Sequence, residues 1–138
     1  MKRYIIGLSV CVFGLNAAGF NPSMQTYISD LKVQAKKDNS GFIDFDVKRG
    51  EKIFLSKHIG KRGDEISCAT CHTQNLTATG KNPTTNKSIK PLSPSANSTR
   101  LTDVAEVKKW LKRNFNDVYK REGTALEKGD VLYFIKSK

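Results

Sequence analysis

The stretch Ser67-Cys68-Ala69-Thr70-Cys71-His72-Thr73 constrains this 138-residue chain more than any other. Two cysteines three apart with a histidine directly after them form the attachment sequence of a c-type haem. Residues three apart on a helical turn share a face, so Cys68 and Cys71 can both form thioethers to the haem vinyls while His72 turns its imidazole onto the iron. A chain that carries a covalent porphyrin must then fold around it. Zinc sites and thiol–disulfide centres also use Cys-x-x-Cys pairs, and neither accounts for this one as well. Zinc needs four ligands, the only further candidate is His58, and Cys71 and His72, being adjacent, are hard to seat in one tetrahedron. A redox pair has no use for His72. The cofactor expected is one covalently bound haem c.

Lys2 and Arg3 precede an apolar run from Tyr4 to Leu15, and Ala17, Ala18 and Gly19 follow, which is the layout of a secretory signal peptide. Residues 1–19 are read as that signal, and residues 20–138 as one monohaem cytochrome c domain exported to the periplasm. The apolar run is too short to span a bilayer, and no later stretch approaches the ~20 apolar residues a spanning helix requires, so a soluble mature protein is expected. Cys11 is read as part of the signal, because Val10 is bulky where a lipid-anchoring sequence wants a small residue. Cys68 and Cys71 are then the only mature cysteines, which leaves none for a structural disulfide.

A mature chain of 119 residues lies near the lower end of domain sizes, where a small core is hard to stabilise unaided, and a buried haem supplies what is missing. The sequence carries 24 Lys and Arg against 13 Asp and Glu; without Lys2 and Arg3 its charge is +9. That excess reads first as a solvated surface and second as a means of fast, salt-sensitive docking to acidic partners or an anionic membrane. Nucleic acid is not expected as a partner of an exported chain with no recognition motif. A monomer is expected.

Hydrophobic periodicity places four further helices. Ser23 is the expected cap of the first, in which Tyr27, Ile28, Leu31 and Ala35 recur at helical spacing until the polar cluster Lys36 to Gly41. The second covers Asp46 to Leu55, with Gly50 and Phe54 on one face. A glycine there costs roughly 1 kcal/mol against alanine, which suggests close approach of another backbone, and the last helix opposite Val131 to Ile135 is the natural partner. Thr102-Asp103 caps a helix with apolar Val104, Val107, Trp110, Leu111 and Phe115, while Lys108, Lys109, Lys112 and Arg113 line its outer side. The last helix opens on a capping box, Thr124 with Glu127, and runs to about Ile135. Between the haem motif and Arg100 the chain reads as loop, anchored by Ile89, Pro91 and Leu92.

The residues leave the iron's second axial ligand open. Electron-transfer cytochromes commonly use a methionine from beyond the haem motif, and none is present there: Met1 is in the signal and Met24 precedes Cys68 by 44 residues. His58, in the polar stretch Ser56 to Gly60, reads as an exposed loop residue rather than a ligand. An open, weak or bis-histidine site remains. On these grounds alone Asn114 is an ordinary polar residue near a helix end.

A Gly-containing helix, a Cys-x-x-Cys-His, a long loop and a closing helix resemble the all-α class I cytochrome c fold. Arg49-Gly50 with Phe54, the Ser67 to Thr73 stretch, Ile89-Lys90-Pro91-Leu92-Ser93-Pro94-Ser95, Arg100-Leu101-Thr102-Asp103, Val107-Lys108-Lys109-Trp110, Arg113-Asn114 and Glu127-Lys128-Gly129-Asp130 together resemble one small family, the sphaeroides haem protein type. The likeness runs from about Arg49 to Lys138. It implies a high-spin monohaem cytochrome in which the asparagine matching Asn114 binds ferric iron through its side-chain oxygen and leaves on reduction, so that a small diatomic gas such as oxygen or nitric oxide can bind. It also implies a dihaem cytochrome c and a membrane cytochrome b as redox partners. Relatives carry two cysteines, paired as a disulfide near the distal side, where this chain has Phe115 and Gly123. The expected iron ligands are therefore His72 and Asn114, and the expected haem contacts are Cys68, Cys71, His72, Pro91, Arg100 and Trp110, with the Pro91 carbonyl accepting the outer ring hydrogen of His72. Two other functions stay open: a low-spin electron carrier with a histidine or lysine sixth ligand, and a gas-reducing haem enzyme, for which Trp110 and Tyr119 are candidate proton donors.

Overall fold

The computed structural model describes residues 19–138; the expected signal up to Ala18, with Lys2, Arg3 and Cys11, lies outside the described residues. Side-chain caps start the four longer helices. In α1 (Pro22–Asp38) the cap is Asn21, whose Oδ1 accepts from the Met24 N–H at 2.9 Å. Ser23 had been expected there; it lies inside the helix and donates its hydroxyl to Asn21 Oδ1 at 2.9 Å. Pro22 decides the matter, since its fixed φ and missing N–H suit the first helical position, which moves the cap one residue ahead of it. Asp46 caps α2 (Val47–Leu55) through the Arg49 N–H at 2.7 Å, and Asp103 caps α4 (Val104–Tyr119) through the Glu106 N–H at 3.1 Å. The expected box at α5 (Ala125–Lys136) is present: Thr124 N–H donates to Glu127 Oε2 at 2.8 Å, and Glu127 N–H to Thr124 Oγ1 at 3.2 Å.

The haem motif forms the short helix α3 (Cys68–His72), which follows a hairpin of β1 (His58–Ile59) and β2 (Glu65–Ile66). The hairpin is held to the C-terminal part of α4 by the Lys61 N–H, which donates to the Asp117 carbonyl at 2.8 Å. A second hairpin, β3 (Gly80–Lys81) with β4 (Ser88–Ile89), lies inside the segment expected to be loop. Strands of two residues are too short to show an alternating pattern, so the sequence could not mark them. Behind this hairpin, Leu92 and Ser93 both donate backbone N–H groups to the Leu76 carbonyl at 2.9 Å, and Leu76 and Ser93 are buried.

The last helix is the centre of the core. It buries Ala125, Val131, Leu132, Phe134 and Ile135 on several sides, as expected of a helix with neighbours on more than one face. α1 packs on one flank with Met24, Tyr27, Ile28, Leu31 and Ala35, and α2 crosses on another. That crossing is as tight as backbones allow. A Cβ placed on Gly50 would enter the carbonyl of Asp130 and lie 2.9 Å from the Phe134 Cβ. The expected opposition of Gly50 to Val131–Ile135 therefore holds at Phe134 and extends one residue further, to Asp130. Beside it, the buried Asp130 carboxylate accepts from Arg49 Nε at 2.8 Å, Arg49 Nη2 at 3.0 Å and the Asp46 N–H at 2.7 Å. Among the described residues no helix is long and apolar enough to cross a membrane.

Two measurements check this packing by urea unfolding of the holoprotein. Gly50→Ala should lose about 1–3 kcal/mol by overpacking, although the same change in an open helix gains roughly 0.5–1 kcal/mol. A gain would show that the helices do not touch here. Arg49→Met should cost about 2–4 kcal/mol, because it strips two of three donors from a carboxylate with only 1% of its surface exposed, whereas Lys32→Met, which removes the exposed Lys32–Asp44 pair, should cost about 1 kcal/mol or less.

Candidate haem site

A cavity of 370 Å³ lies between α3, α4 and α5, within the range of roughly 300–1,000 Å³ usual for cofactor pockets. α3 contributes Cys68 and His72; α4 contributes Trp110 and Asn114; Arg100 stands at the rim; and Phe54, Leu111, Val131 and Ile135 are among its apolar walls. Five of the seven residues singled out in the sequence thus meet at one cavity. Cys71 lines a neighbouring cleft of 100 Å³ shared with Arg62, Arg113 and Asp117. Pro91 is not among the lining residues. It reaches the site through its carbonyl, which accepts from Arg100 Nε at 2.9 Å and Asn97 Nδ2 at 3.3 Å.

The chemistry of the motif follows from burial. The Cys68 thiol is pushed up to about 12, chiefly by desolvation, and Cys71 is raised by the same cause with Asp117 adding to it. Such thiols stay protonated at neutral pH, unlike the low-pKa thiolates of redox centres and zinc sites. Among the described residues no three His, Cys, Asp or Glu side chains gather in a way that could hold a metal ion by themselves. His72 is pulled down to about 4, first by burial and then by the nearby Arg100 guanidinium, so its ring is neutral and keeps a lone pair for iron. The ring packs against Phe54, centroid to centroid 6.2 Å, and its Nδ1 is buried with no hydrogen-bond partner. The expected bond from His72 to the Pro91 carbonyl is therefore absent; the two lone pairs of that oxygen are taken by Arg100 and Asn97. An apolar cavity that joins a thiol and a neutral imidazole with one orphaned nitrogen fits a covalent haem.

Other expectations sort themselves around this cavity. His58 is not an exposed loop residue: it lies in β1, half-buried, its ring 4.2 Å from that of Tyr119 and its Nε2 without a partner. It does not line the cavity. Met24 is fully buried in the α1 core. Trp110 does line the cavity, but its Nε1–H donates to Glu106 Oε2 at 2.8 Å. Tyr119 donates its hydroxyl to the Ile53 carbonyl at 2.7 Å, and burial pushes its phenol up to about 12. Tyr119 is not among the lining residues, and the Trp110 proton is held by Glu106, which lines the cavity beside it.

The residues missed in the sequence are those that shape its far wall. Phe115, adjacent to Asn114, lines the cavity and packs on Gly123, where an added Cβ would fall 2.8 Å from the ring. Its ring also meets Tyr119 at 5.4 Å. The two positions at which a disulfide is implied for relatives are thus in contact here, as an aromatic ring on a glycine. A small residue eight positions after a large one is too common to signal such a contact by itself.

A shell of helices closed over one Cys-x-x-Cys-His cavity defines a monohaem c-type cytochrome of the class I kind, carrying haem c. Residues 40–135 match the family described as Domain of unknown function (DUF1924). Cytochrome c-type protein SHP of Cereibacter sphaeroides is 37% identical over 135 residues, covering 98% of this chain and 98% of that protein. Cytochrome c'' of Methylophilus methylotrophus is 34% identical over 86 residues, 62% of this chain and 60% of that one. Among solved structures, oxidized SHP, described as an oxygen binding cytochrome c, matches with a TM-score of 0.73 over 83% of this chain and 96% of its own at 37% identity. Oxidized cytochrome c'' matches with a TM-score of 0.74 over 83% and 94% at 27% identity. The chain belongs to the DUF1924 family and is a cytochrome of the SHP type.

The contact of Phe115 with Gly123 is testable on its own. Gly123 does not have a positive φ, so alanine there is not strained by the backbone. Gly123→Ala should still cost about 1–3 kcal/mol by displacing the ring. Combined with Phe115→Leu it should cost less than the two single changes added together, as a double-mutant cycle by thermal unfolding will show.

Proposed function

We propose that the mature chain, from about residue 20, is a periplasmic high-spin cytochrome c in which Asn114 is the displaceable ligand opposite His72, and that its reduced form binds a small diatomic gas such as oxygen or nitric oxide. One observation carries the reading. The cavity that His72 and Cys68 share has Asn114 in its wall, and neither His58, nor Met24, nor any lysine. The low-spin alternative would need a histidine or lysine from outside the residues that line the cavity.

When bound, the haem supplies the redox and gas-binding chemistry. The chain does the rest. Cys68 and Cys71 fix the group covalently, His72 offers a neutral nitrogen, and Asn114 offers an amide oxygen, a hard and weak donor suited to ferric rather than ferrous iron. Phe54, Leu111, Val131 and Ile135 keep water from the walls and lower the local dielectric. Tyr119 holds its proton on the Ile53 carbonyl and does not line the cavity, which removes one candidate proton donor and supports an electron carrier and ligand binder over a gas-reducing enzyme. The name of the solved SHP, an oxygen binding cytochrome c, supports oxygen as one ligand of this chain as well. Electrons would come from another cytochrome, a dihaem cytochrome c or a membrane cytochrome b being the partners the family resemblance implies, and the excess of basic side chains would make that docking salt-sensitive.

Asn114→Ala should leave haem attachment through Cys68 and Cys71 intact and speed association of azide or cyanide with the oxidised protein, while binding to the reduced protein barely changes. Stopped-flow mixing of both oxidised proteins with azide decides it: equal rates would remove Asn114 from the iron. Electron paramagnetic resonance of the unaltered oxidised protein should show a high-spin signal, and a low-spin signal would return the other ligands to the lead. A merely helical role for Asn114 predicts a small stability loss and no change in these rates.

A further inference from the structure

Around Asn114 the cavity wall is built largely by its own helix. Trp110, Leu111 and Phe115 line the same cavity from α4, so a small molecule that takes the place of the Asn114 amide comes to lie among them. These three side chains differ in how far they can yield. Trp110 is 40% exposed and has solvent to turn into. Leu111 is buried, but an aliphatic chain can change rotamer within a wall. Phe115 has neither freedom. A Cβ placed on Gly123 would fall 2.8 Å from its ring, so on that side the ring already lies against a residue with no side chain to move. On another side stands the ring of Tyr119 at 5.4 Å, itself fixed by its hydroxyl on the Ile53 carbonyl at 2.7 Å and by the His58 ring at 4.2 Å. The side that stays open is the cavity. Packed interiors hardly compress, so a group that meets this ring fits beside it or stays out.

We propose that Phe115 is the specificity-determining residue of the site: diatomic and other short linear ligands pass its ring, and branched or bulkier donors are refused. The inference rests on the open site proposed above and names the class of ligand that site accepts. Selection of this kind works by a clash with a fixed wall rather than by an added attraction. Gly123 has a share in it, because a residue without a side chain lets the ring stand back from the cavity. A methyl group added behind the ring should press it inward and narrow the site. A smaller side chain at Phe115 should widen it.

The test uses the reduced holoprotein with carbon monoxide and tert-butyl isocyanide, which both bind ferrous iron through carbon and differ chiefly in bulk. Stopped-flow mixing gives the ratio of their association rates, carbon monoxide over isocyanide. Phe115→Leu should lower that ratio about tenfold, and Gly123→Ala should raise it. Val118→Ala, at a buried position of α4 that does not line the cavity, should leave it unchanged. The opposite signs are the decisive readout: Phe115→Leu and Gly123→Ala both lose stability, and a fold that merely loosened would shift the two ratios the same way. Phe115→Met takes the place of Phe115→Leu if that variant does not fold. Shifts of one sign, an unmoved ratio, or an equal shift in Val118→Ala would overturn the proposal. In an Asn114→Ala background the same opposite shifts are expected whether or not that change alters azide binding, which keeps the two readings apart. A reduced protein that takes neither ligand would defeat the open site itself; the comparison then passes to cyanide and imidazole on the oxidised protein, where unmoved ratios overturn the proposal as well.

Discussion

The site depends on the place where α2 and α5 meet with no side chain between them. Gly50 lets the backbone of Asp130 come within reach, and nothing larger fits. From that contact the geometry propagates by one helical turn on each side: Phe54, four residues after Gly50, packs on Phe134 at 5.4 Å and on the ring of His72 at 6.2 Å. The imidazole is thus positioned by an aromatic pair whose spacing is set by a glycine 22 residues before it in sequence. Arg49 and Asp130 then fix the helices against sliding. Three donors converge on one buried carboxylate, a directional constraint that apolar packing by itself does not provide.

The opposite wall is held differently. Asn114 stands between Leu111 and Phe115 on α4, and the turn after that helix returns to α5 through Gly123. Where relatives are implied to use a covalent bridge, this chain presses the ring of Phe115 onto Gly123. A disulfide narrows the unfolded ensemble, and a ring on a glycine does not; the ring instead excludes water and adds contacts in the folded state alone. Arg121 compensates in part. It bonds both oxygens of Glu127, at 2.7 and 2.6 Å, which ties the same turn to the first residues of α5.

Most of this was legible because it rests on local rules. Asp103, Thr124 and Glu127 announce helix starts wherever they stand, the period of Val104, Val107, Leu111 and Phe115 fixes the buried side of α4, and a glycine in the middle of a helix asks for a neighbour. The departures all arise where distant residues compete. Pro22 displaced the cap from Ser23 to Asn21 by its own geometry. His58 reads as loop because two-residue strands leave no pattern, and the ring it packs against is Tyr119, 61 residues away in sequence. The Pro91 carbonyl is expected to accept from His72 and accepts instead from Arg100 and Asn97, donors whose reach no spacing rule gives.

The covalent link bears on how weak the axial ligation of such a site can be. A haem held only by its axial bonds needs strong ligands on at least one side, or it leaves. Thioethers from Cys68 and Cys71 remove that requirement, and the strength of both axial partners becomes free to vary. A neutral amide such as that of Asn114, the ligand proposed above, would then be a compatible choice rather than a defect. An amide oxygen that held ferric iron only weakly would be released on reduction, which would open the site. The polypeptide around them supplies the rigidity the ligands do not: Phe54 and Phe134 behind His72, Phe115 on Gly123 beside Asn114, and a glycine–backbone contact beneath both.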